Sequence, residues 1–423
     1  MQDNQKTLIL LLRTWTNDIG GIYDYSTKAV KVIKDNVLQS TYVVRDKNNN
    51  FENIDQHSFI SKESELLFHV LNDNKDSYFL INPIPKTLKL NNESLIYLNN
   101  KIWYVIRSED GIETENNNED YYLSVNDIIK FGKIKFSVQK IHIEDNNNAG
   151  DPGMSINDLM KYDVTKLNQN CPPVFDFVFE VKHSNKLEES SILDSEETPS
   201  VSESSKKSKK SKHKIKNPIC CICNQETRPN DNSETDDGES NNLISLCKCE
   251  QKGLVHLECL RQNIYPKVED RPNDKSITIE NFECPNCKEQ YPLRYKLENE
   301  QKINYLIKEY KEPKEGDYII LESLDYYLNE KHCKSIHFIK LNSDCINIGR
   351  EAENDIIEKD ISISRFHAVL KYNKMTSKIC IVNKSKKFGT LVLIKKPLKI
   401  LDEKIHLQVG RSYIIANLEQ KKE

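Results

Sequence analysis

The chain has 423 residues, of which 30% are charged, and its formal net charge of −4 excludes a chain-wide basic surface for nucleic acid. Its length allows two to four domains. The start, residues 1–6, is polar, and no segment contains the run of about 20 apolar residues that a membrane-spanning helix needs. We therefore expect a soluble intracellular protein, cytoplasmic or nuclear, with reduced thiols.

Residues 1–145 are predicted to form a β-rich domain. Short runs of β-branched and aromatic residues alternate with polar turns, at residues 8–12, 42–45, 95–98, 102–106 and 135–141. These runs are too short and too evenly divided for helices, so we expect a sheet.

Residues 146–216 are predicted to be a linker, apart from one candidate strand at residues 175–181. The linker is acidic and rich in serine around residues 188–203 and then carries seven lysines in residues 206–216. Blocks of opposite charge with almost no apolar content cannot form a core. We interpret the lysine run as solvated linker; a nuclear import signal and a nucleic-acid contact are the alternatives.

Eight potential metal ligands follow as four pairs: Cys220-x2-Cys223, Cys247-x-Cys249, His256-x2-Cys259 and Cys284-x2-Cys287. A pair on a tight turn can hold one face of a tetrahedral ion, so four pairs predict two zinc ions. All coordination positions are filled by protein, which predicts structural zinc without an open position for water. Disulfides would need an oxidising compartment. The remaining cysteines are expected to pack as ordinary small side chains: Cys171, Cys221, Cys333, Cys345 and Cys380.

The motifs C-C-I-C at 220–223, L-C-K-C at 246–249, L-V-H-L-E-C-L at 254–260 and C-P-N-C at 284–287 resemble the RING-CH finger, a RING variant of ubiquitin ligases. The resemblance implies a cross-brace finger over residues 217–292. One zinc would be held by Cys220, Cys223, His256 and Cys259, and the other by Cys247, Cys249, Cys284 and Cys287. A PHD finger is the alternative, although its second pair is usually wider.

By the same resemblance, the finger would bind a ubiquitin-conjugating enzyme charged with ubiquitin, with no catalytic residue and no covalent intermediate of its own. Ile222 and Pro285 match the docking positions for that enzyme, and Lys288 matches the basic contact with ubiquitin. Leu260 and Ile264, on a short helix after Cys259, are expected to add apolar surface. The alternative is that Ile222 and Pro285 only pack the finger.

Residues 293–316 are predicted to connect the finger to the last domain, with a short helical or linking run at residues 301–311. Six short β-rich runs then begin within residues 317–420, at residues 318–321, 336–341, 345–348, 369–372, 379–382 and 391–394. About 100 residues suit one β-sandwich.

Three motifs in this last part, Ile346–Arg350 with Asn354-Asp355, Ser362–Ala368 and Phe388-Gly389-Thr390, resemble the forkhead-associated (FHA) domain, which binds phosphothreonine peptides. A guanidinium pairs with phosphate bidentately, and a serine hydroxyl is a suitable donor. The resemblance implies a phosphopeptide site built from Gly349, Arg350, Ser364, Arg365, His367, Gly389 and Thr390. Phe388 stands where the family has asparagine, so loss of phosphopeptide binding is the alternative.

Residues 122–133 resemble the closing strands of an FHA sandwich. No Gly-Arg or Ser-x-x-His motif lies upstream at a suitable spacing, so residues 1–145 are expected to be a divergent FHA-like sandwich without a phosphate site. The predicted fold class is therefore multidomain: a zinc-stabilised finger and an FHA β-sandwich, after an N-terminal β-rich domain.

The sequence predicts a RING-type ubiquitin ligase that selects partners containing phosphothreonine. Two alternatives remain open: a non-enzymatic phosphopeptide-binding scaffold with a structural zinc finger, and a PHD-like chromatin reader.

Overall fold

A computed structural model of the chain describes residues 6–15, 23–25, 30–54, 64–73, 77–82, 101–106, 121–144, 178–181, 218–226, 243–249, 253–280, 282–297, 302–324, 326–328 and 331–420. The predicted strand at 95–98, most of the linker and the lysine run at 206–216 lie outside these residues. Within them, no helix is long and apolar enough to cross a membrane.

The first part of the chain is all strand, as its alternating pattern predicts. Its strands are β1 (Lys6–Trp15), β2 (Val30–Val37), β3 (Thr41–Arg45), β4 (Phe51–Ile54), β5 (Glu65–Asp73), β6 (Ser77–Ile81), β7 (Ile102–Ile106), β8 (Tyr121–Tyr122), β9 (Ile128–Phe131) and β10 (Ile134–His142). In β1, alternate residues Leu8, Leu10 and Leu12 are fully buried, which is the period of a strand with one face on the core.

The middle part contains short elements: β11 (Val178–Val181), β12 (Leu243–Ser245), β13 (Leu254–His256), α1 (Leu257–Asn263), β14 (Tyr265–Asp270), β15 (Asp274–Glu280), β16 (Arg294–Leu297) and β17 (Asn304–Tyr305). Strand β16 pairs in parallel with β11 and antiparallel with β17. For residues 301–311 a short helical or linking run was predicted; the described residues 302–311 contain no helix, since residues 304–305 pair as β17 and turns follow.

The last part is again all strand: β18 (Tyr318–Ser323), β19 (Tyr326–Leu328), β20 (Lys331–Lys340), β21 (Cys345–Gly349), β22 (Ile356–Ile357), β23 (Ala368–Asn373), β24 (Lys378–Asn383), β25 (Thr390–Leu393), β26 (Leu398–Lys399), β27 (Ile405–Val409) and β28 (Ser412–Gln420). All six predicted runs of this part fall on these strands.

The sheet order shows that the chain contains the same arrangement twice. One large sheet runs β14-β15-β20-β18-β10-β9-β25-β7-β27-β28-β1-β2, and two five-stranded sheets run β4-β3-β5-β6-β26 and β22-β21-β23-β24-β8. From the central pair β7 and β25, one half of the large sheet continues as β27-β28-β1-β2 and the other as β9-β10-β18-β20. Strands at the same distance from the centre occupy equivalent places in the two copies. By sheet order, strands β1–β10 therefore correspond to β18 and β20–β28, except that β4 is antiparallel to β3 whereas β22 is parallel to β21.

The last three strands of each copy lie in the sandwich of the other copy. The first sandwich consists of β1–β7 with β26–β28, and the second consists of β18–β25 with β8–β10. Strand β28 pairs with β1, and β10 pairs with β18. The buried side chains of both sandwiches form one continuous apolar core. Residues 1–145 and 317–420, predicted as separate domains, thus share sheets and core.

The finger is attached to the second sandwich by its own hairpin. Strands β14 and β15 pair with each other, and β15 then pairs with β20 along its whole length. Ile277 and Ile279 of β15 join Ile336 and Phe338 of β20 in a second buried cluster, which also contains the apolar residues of the finger. This packing sets the finger against the second sandwich.

Candidate functional site

The four cysteine and histidine pairs come together as two groups. Cys220, Cys223, His256 and Cys259 form one group, and Cys247, Cys249, Cys284 and Cys287 form the other, with the potential ligand atoms of each group within 4.8 Å of one another. The first and third pairs share one group and the second and fourth share the other, so the pairs interleave along the chain. This is the division that the RING-CH resemblance implied.

Distances within the groups suit a tetrahedral ion. Zinc bond lengths imply about 3.8 Å between two sulfur ligands and about 3.6 Å between sulfur and nitrogen. The Cys249 and Cys284 sulfurs are 3.8 Å apart, and His256 Nδ1 lies 3.4 Å from the Cys223 sulfur and 3.7 Å from the Cys259 sulfur. Each group can therefore hold a metal ion.

Two matching turns present the Cys-x2-Cys pairs. Cys220 N–H donates to the Gln225 carbonyl and Asn224 N–H to the Cys220 carbonyl, at 2.9 Å each. Cys284 and Lys288 repeat both bonds in the second turn. Asn224 and Lys288 have positive φ angles of 57° and 59°, which allow the chain to fold back behind each pair.

The second cysteine group requires a glycine at position 253, which the sequence analysis missed. A Cβ atom on it would lie 2.7 Å from the Cys247 sulfur and 2.8 Å from Cys249 Cβ. Any side chain here would push against Cys247 and Cys249 of the second group. A glycine three residues before His256 was the available signal.

The predicted conjugating-enzyme contacts divide into two sets. Pro285 and Lys288 are exposed and Ile222 is half-buried against the finger core. Leu260, on α1, and Ile264, directly after it, are only 0% and 2% exposed, because both pack into that core. The expectation that they add contact surface is therefore wrong.

The second sandwich carries two loops at one end, which we call the first ligand loop (residues 350–367) and the second ligand loop (residues 384–389). Arg350 N–H donates to the carbonyls of Ser364 and Arg365, at 3.1 Å each. Gly349 permits this close approach, since a Cβ atom there would lie 2.1 Å from the Arg365 carbonyl oxygen. The buried Asn354 side chain donates to the same oxygen at 2.8 Å.

His367 joins the two ligand loops from inside. It is fully buried; its Nδ1 accepts from Ser364 N–H at 3.0 Å, so the other nitrogen, Nε2, donates to the Gly389 carbonyl at 3.0 Å. Burial lowers the pKa of His367 to about 4, partly offset by the bond to Gly389. The imidazole is neutral at pH 7 and fixes one spacing between the loops.

Ser385 and Asn383 are site residues that the sequence analysis missed. The hydroxyl oxygens of Ser364 and Ser385 are 2.7 Å apart, and Ser385 Oγ also accepts from Phe388 N–H at 3.1 Å. Asn383 Oδ1 accepts from the Thr390 hydroxyl at 3.1 Å. The polar Asn-x-Ser sequence at the end of β24 was the available signal.

Thr390 does not face a ligand, contrary to the sequence expectation. Its side chain is fully buried and its hydroxyl is used by Asn383. Gly389 is buried as well, with a φ of 63°, and its carbonyl is used by His367. Both residues support the second ligand loop from within.

The ligand loops present several cations to solvent, and the first loop also carries the exposed Glu353. Arg350, Arg365, Lys386 and Lys387 are exposed, and among the described residues none of them makes an ion pair with a carboxylate. Beside them, the Ser364 hydroxyl is half-buried. This end of the sandwich can therefore accept an anion by charge and by hydrogen bonding.

In the first sandwich, the position that corresponds to the start of the first ligand loop carries an arginine that is already bound within the protein. Arg45 ends β3 as Gly349 ends β21, but its guanidinium is buried, pairs with Glu65 and donates to the Ser412 hydroxyl. A guanidinium with these partners is not available to a ligand.

Comparison with known families adds one finding. Residues 346–412 match the family model of the FHA domain, from β21 to the first residue of β28, which confirms the predicted FHA domain. FHA domains bind phosphothreonine peptides. No family match supports the RING-CH resemblance of the finger, and no curated protein matches the chain.

Proposed function

We propose that this protein binds partners that contain phosphothreonine, through the ligand loops of the second sandwich. The observation that carries the proposal is the FHA match across the segment that holds the exposed Arg350 and the half-buried Ser364. The phosphate would receive the Arg350 guanidinium and the Ser364 hydroxyl, with Arg365 and Lys387 adding charge. Charge-assisted hydrogen bonds of this kind contribute about 1.5–3 kcal/mol each.

The hydrogen bonds around His367 support tight binding, because they form before the ligand arrives. Loops that are ordered in the free protein lose less conformational entropy when a ligand binds. Phe388, in place of the usual asparagine, donates its backbone N–H to Ser385. The phosphate contacts do not depend on an asparagine side chain at this position.

Binding of the full chain to a phosphothreonine peptide library, against the same peptides without phosphate, tests the proposal. Arg350→Ala is expected to weaken binding about 10- to 100-fold, from the loss of about 1.5–3 kcal/mol. Lys371→Ala, an exposed cation on β23 away from the loops, serves as the control. Equal binding of phosphorylated and unphosphorylated peptides would contradict the proposal.

We further propose that each cysteine-rich group holds a structural zinc ion and that the finger is a RING-type ubiquitin ligase. The interleaved grouping is the cross-brace arrangement expected of a RING, and the narrow Cys247-x-Cys249 pair favours a RING over a PHD finger. Thiolate and imidazole ligands suit zinc, and four protein ligands leave no open position. Ile222 and Pro285 would contact a conjugating enzyme, and Lys288 would contact its ubiquitin.

The two activities would act together on one target. The ligand loops would hold a phosphorylated partner while the finger holds the charged conjugating enzyme. Because β15 pairs with β20, the finger and the loops would stay at a fixed separation, which raises the effective concentration of the partner's lysines.

Ubiquitin discharge from loaded conjugating enzymes onto free lysine tests the ligase. Discharge should disappear in Ile222→Ala and Cys284→Ser, and should persist in Ile303→Ala, a partly exposed apolar residue outside the ligand pairs. No discharge from the folded, metal-loaded protein across an enzyme panel would favour the phosphopeptide-binding scaffold. Histone-tail binding without discharge would favour the PHD-like reader.

A further inference from the structure

The hairpin of β14 and β15 leaves the finger between the ligands Cys259 and Cys284 and ends beside the first ligand loop. Its tip, residues 271–273, lies between β14 and β15, at the end where β15 begins its pairing with β20. There, Lys340 N–H donates to the Asn273 carbonyl at 2.9 Å. The tip is thereby fixed to the second sandwich. Asn273 of the hairpin then contacts the loop directly, and Asp274 is connected to it through His337 of β20.

The first contact joins Asn273 to Asp355. The Asn273 amide donates to Asp355 Oδ1 at 2.8 Å, while Asp355 Oδ2 accepts from Asn347 N–H at 2.8 Å. Asn347 lies on β21, three residues before Arg350. Asp355 therefore connects the hairpin tip to the strand that carries the arginine.

The second contact is buried and charged. His337 Nδ1 lies 3.1 Å from Asp274 Oδ2, and His337 Nε2 lies 2.9 Å from Glu358 Oε1, which also accepts from the Ser335 hydroxyl at 2.7 Å. Burial alone would lower the pKa of His337, but the Asp274 and Glu358 carboxylates raise it to about 10. Both imidazole nitrogens then donate, one to each carboxylate.

The contact between His337 and Glu358 also reaches the backbone beside Arg350. Glu358 N–H donates to the Gly349 carbonyl at 3.0 Å, so the backbone beside Arg350 is held by the residue that His337 holds. Asn273 and Asp274 thus act on the first ligand loop at two points, on both sides of β22.

We propose that Asn273 and Asp274, in the hairpin of the metal finger, are positioning residues for the phosphopeptide site. They hold residues 350–358 in the conformation that presents Arg350 to the phosphate. The inference rests on the proposed phosphothreonine binding. Without these contacts the loop would populate further conformations, and the apparent affinity would fall by the fraction of molecules that remain competent to bind.

The test uses the full chain and a phosphothreonine peptide that the wild-type chain selects from a library. Asn273→Ala should weaken binding about 3- to 10-fold, for a competent fraction of about 10–30%. Asn273→Asp should weaken it further, because it places a carboxylate against Asp355. Val268→Ala, on β14 away from the tip, should bind like wild type.

Hydrogen exchange distinguishes a local effect on the first ligand loop from a general loss of stability, which would raise exchange throughout the second sandwich. In Asn273→Ala and Asp274→Asn, the amides of residues 350–358 should exchange faster while those of β23 and β24 stay protected. Asn273 is half-buried, so its variants remain folded if Asp274→Asn unfolds. Unchanged affinity and unchanged exchange in the Asn273 variants would overturn the inference. If wild type selects no peptide, the proposed function fails, and exchange alone decides whether the hairpin positions the loop.

Discussion

The exchange of strands between the two sandwiches predicts that the FHA domain cannot fold from its own segment. A fragment of residues 317–423 lacks β9 and β10, which contribute Ile129, Phe131, Ile134, Phe136 and Val138 to the core, each at most 1% exposed. Burial of one such side chain contributes about 1.5–3 kcal/mol, so these residues contribute roughly 8–15 kcal/mol together. A whole domain is stable by only about 5–15 kcal/mol.

The fragment is therefore expected to be unfolded or aggregated, as measured by circular dichroism, thermal unfolding and sedimentation. Co-expression with residues 1–145, which supply β8–β10, should restore a folded complex. A folded monomeric fragment with the phosphopeptide affinity of the full chain would refute the reasoning, since β27 and β28 would then complete their own sandwich.

A cross-link checks the same pairing in the full chain. Thr14 of β1 lies opposite Ser412 of β28, with hydroxyl oxygens 3.5 Å apart. Thr14→Cys with Ser412→Cys should form a disulfide that mass spectrometry detects after proteolysis. Thr14→Cys with Ser323→Cys, at the end of β18, is the control that should not link.

Further predictions concern the interior of the site and the finger. His367→Ala leaves Ser364 N–H and the Gly389 carbonyl without partners, and should lower the free energy of unfolding in urea by about 3–5 kcal/mol. Chelation should raise hydrogen exchange in residues 218–226 and 282–290 first, because metal contributes about 10–16 kcal/mol per site to such fingers; equal exchange with and without chelator would contradict bound metal. The pKa of His337 is raised to about 10, above the ordinary value near 6.5, so its stabilising contribution is complete below pH 6.5 and is lost as pH rises towards 10. His337→Gln should flatten this alkaline decline in thermal unfolding, which amounts to about 5 kcal/mol at most; equal declines in both proteins would contradict the protonated imidazole.

The sequence predicted local features of the site well, because ligand type and spacing determine them. Type and spacing predicted two metal sites, while the division of the pairs at Cys220, Cys247, His256 and Cys284 into two groups came from the RING-CH resemblance. The FHA motifs likewise identified both ligand loops. Some strands were predicted, as in β7 and β10, but β2, β5 and β15 were not among the predicted runs.

Long-range pairing could not be predicted in the same way. Alternation states which face of a strand is buried but not which strand lies beside it. Leu8 pairs with Leu418, far apart in the chain, and a self-closed sandwich would show the same pattern. Residues 122–133 had suggested an FHA-like arrangement in the first part, but only the sheet order shows which strands of the two copies correspond.

The wrong predictions for individual site residues arose because burial could not be predicted from the sequence. On the short helix α1, an apolar residue suits both a core and a docking surface, and the structure assigns Leu260 and Ile264 to the core. Thr390 offers a hydroxyl in sequence, but that hydroxyl is used by Asn383. Partners of this kind follow from packing, which a single sequence does not reveal.

The most direct test of the account joins its two proposed activities in one assay. The substrate is an acceptor protein with lysines and a single threonine site, prepared with and without phosphate, incubated with full chain, loaded conjugating enzyme and ubiquitin. The account predicts faster modification of the phosphorylated acceptor. It also predicts loss of that preference in Arg350→Ala, with discharge onto free lysine unchanged. Equal modification of both acceptors, or a preference that survives Arg350→Ala, would contradict it.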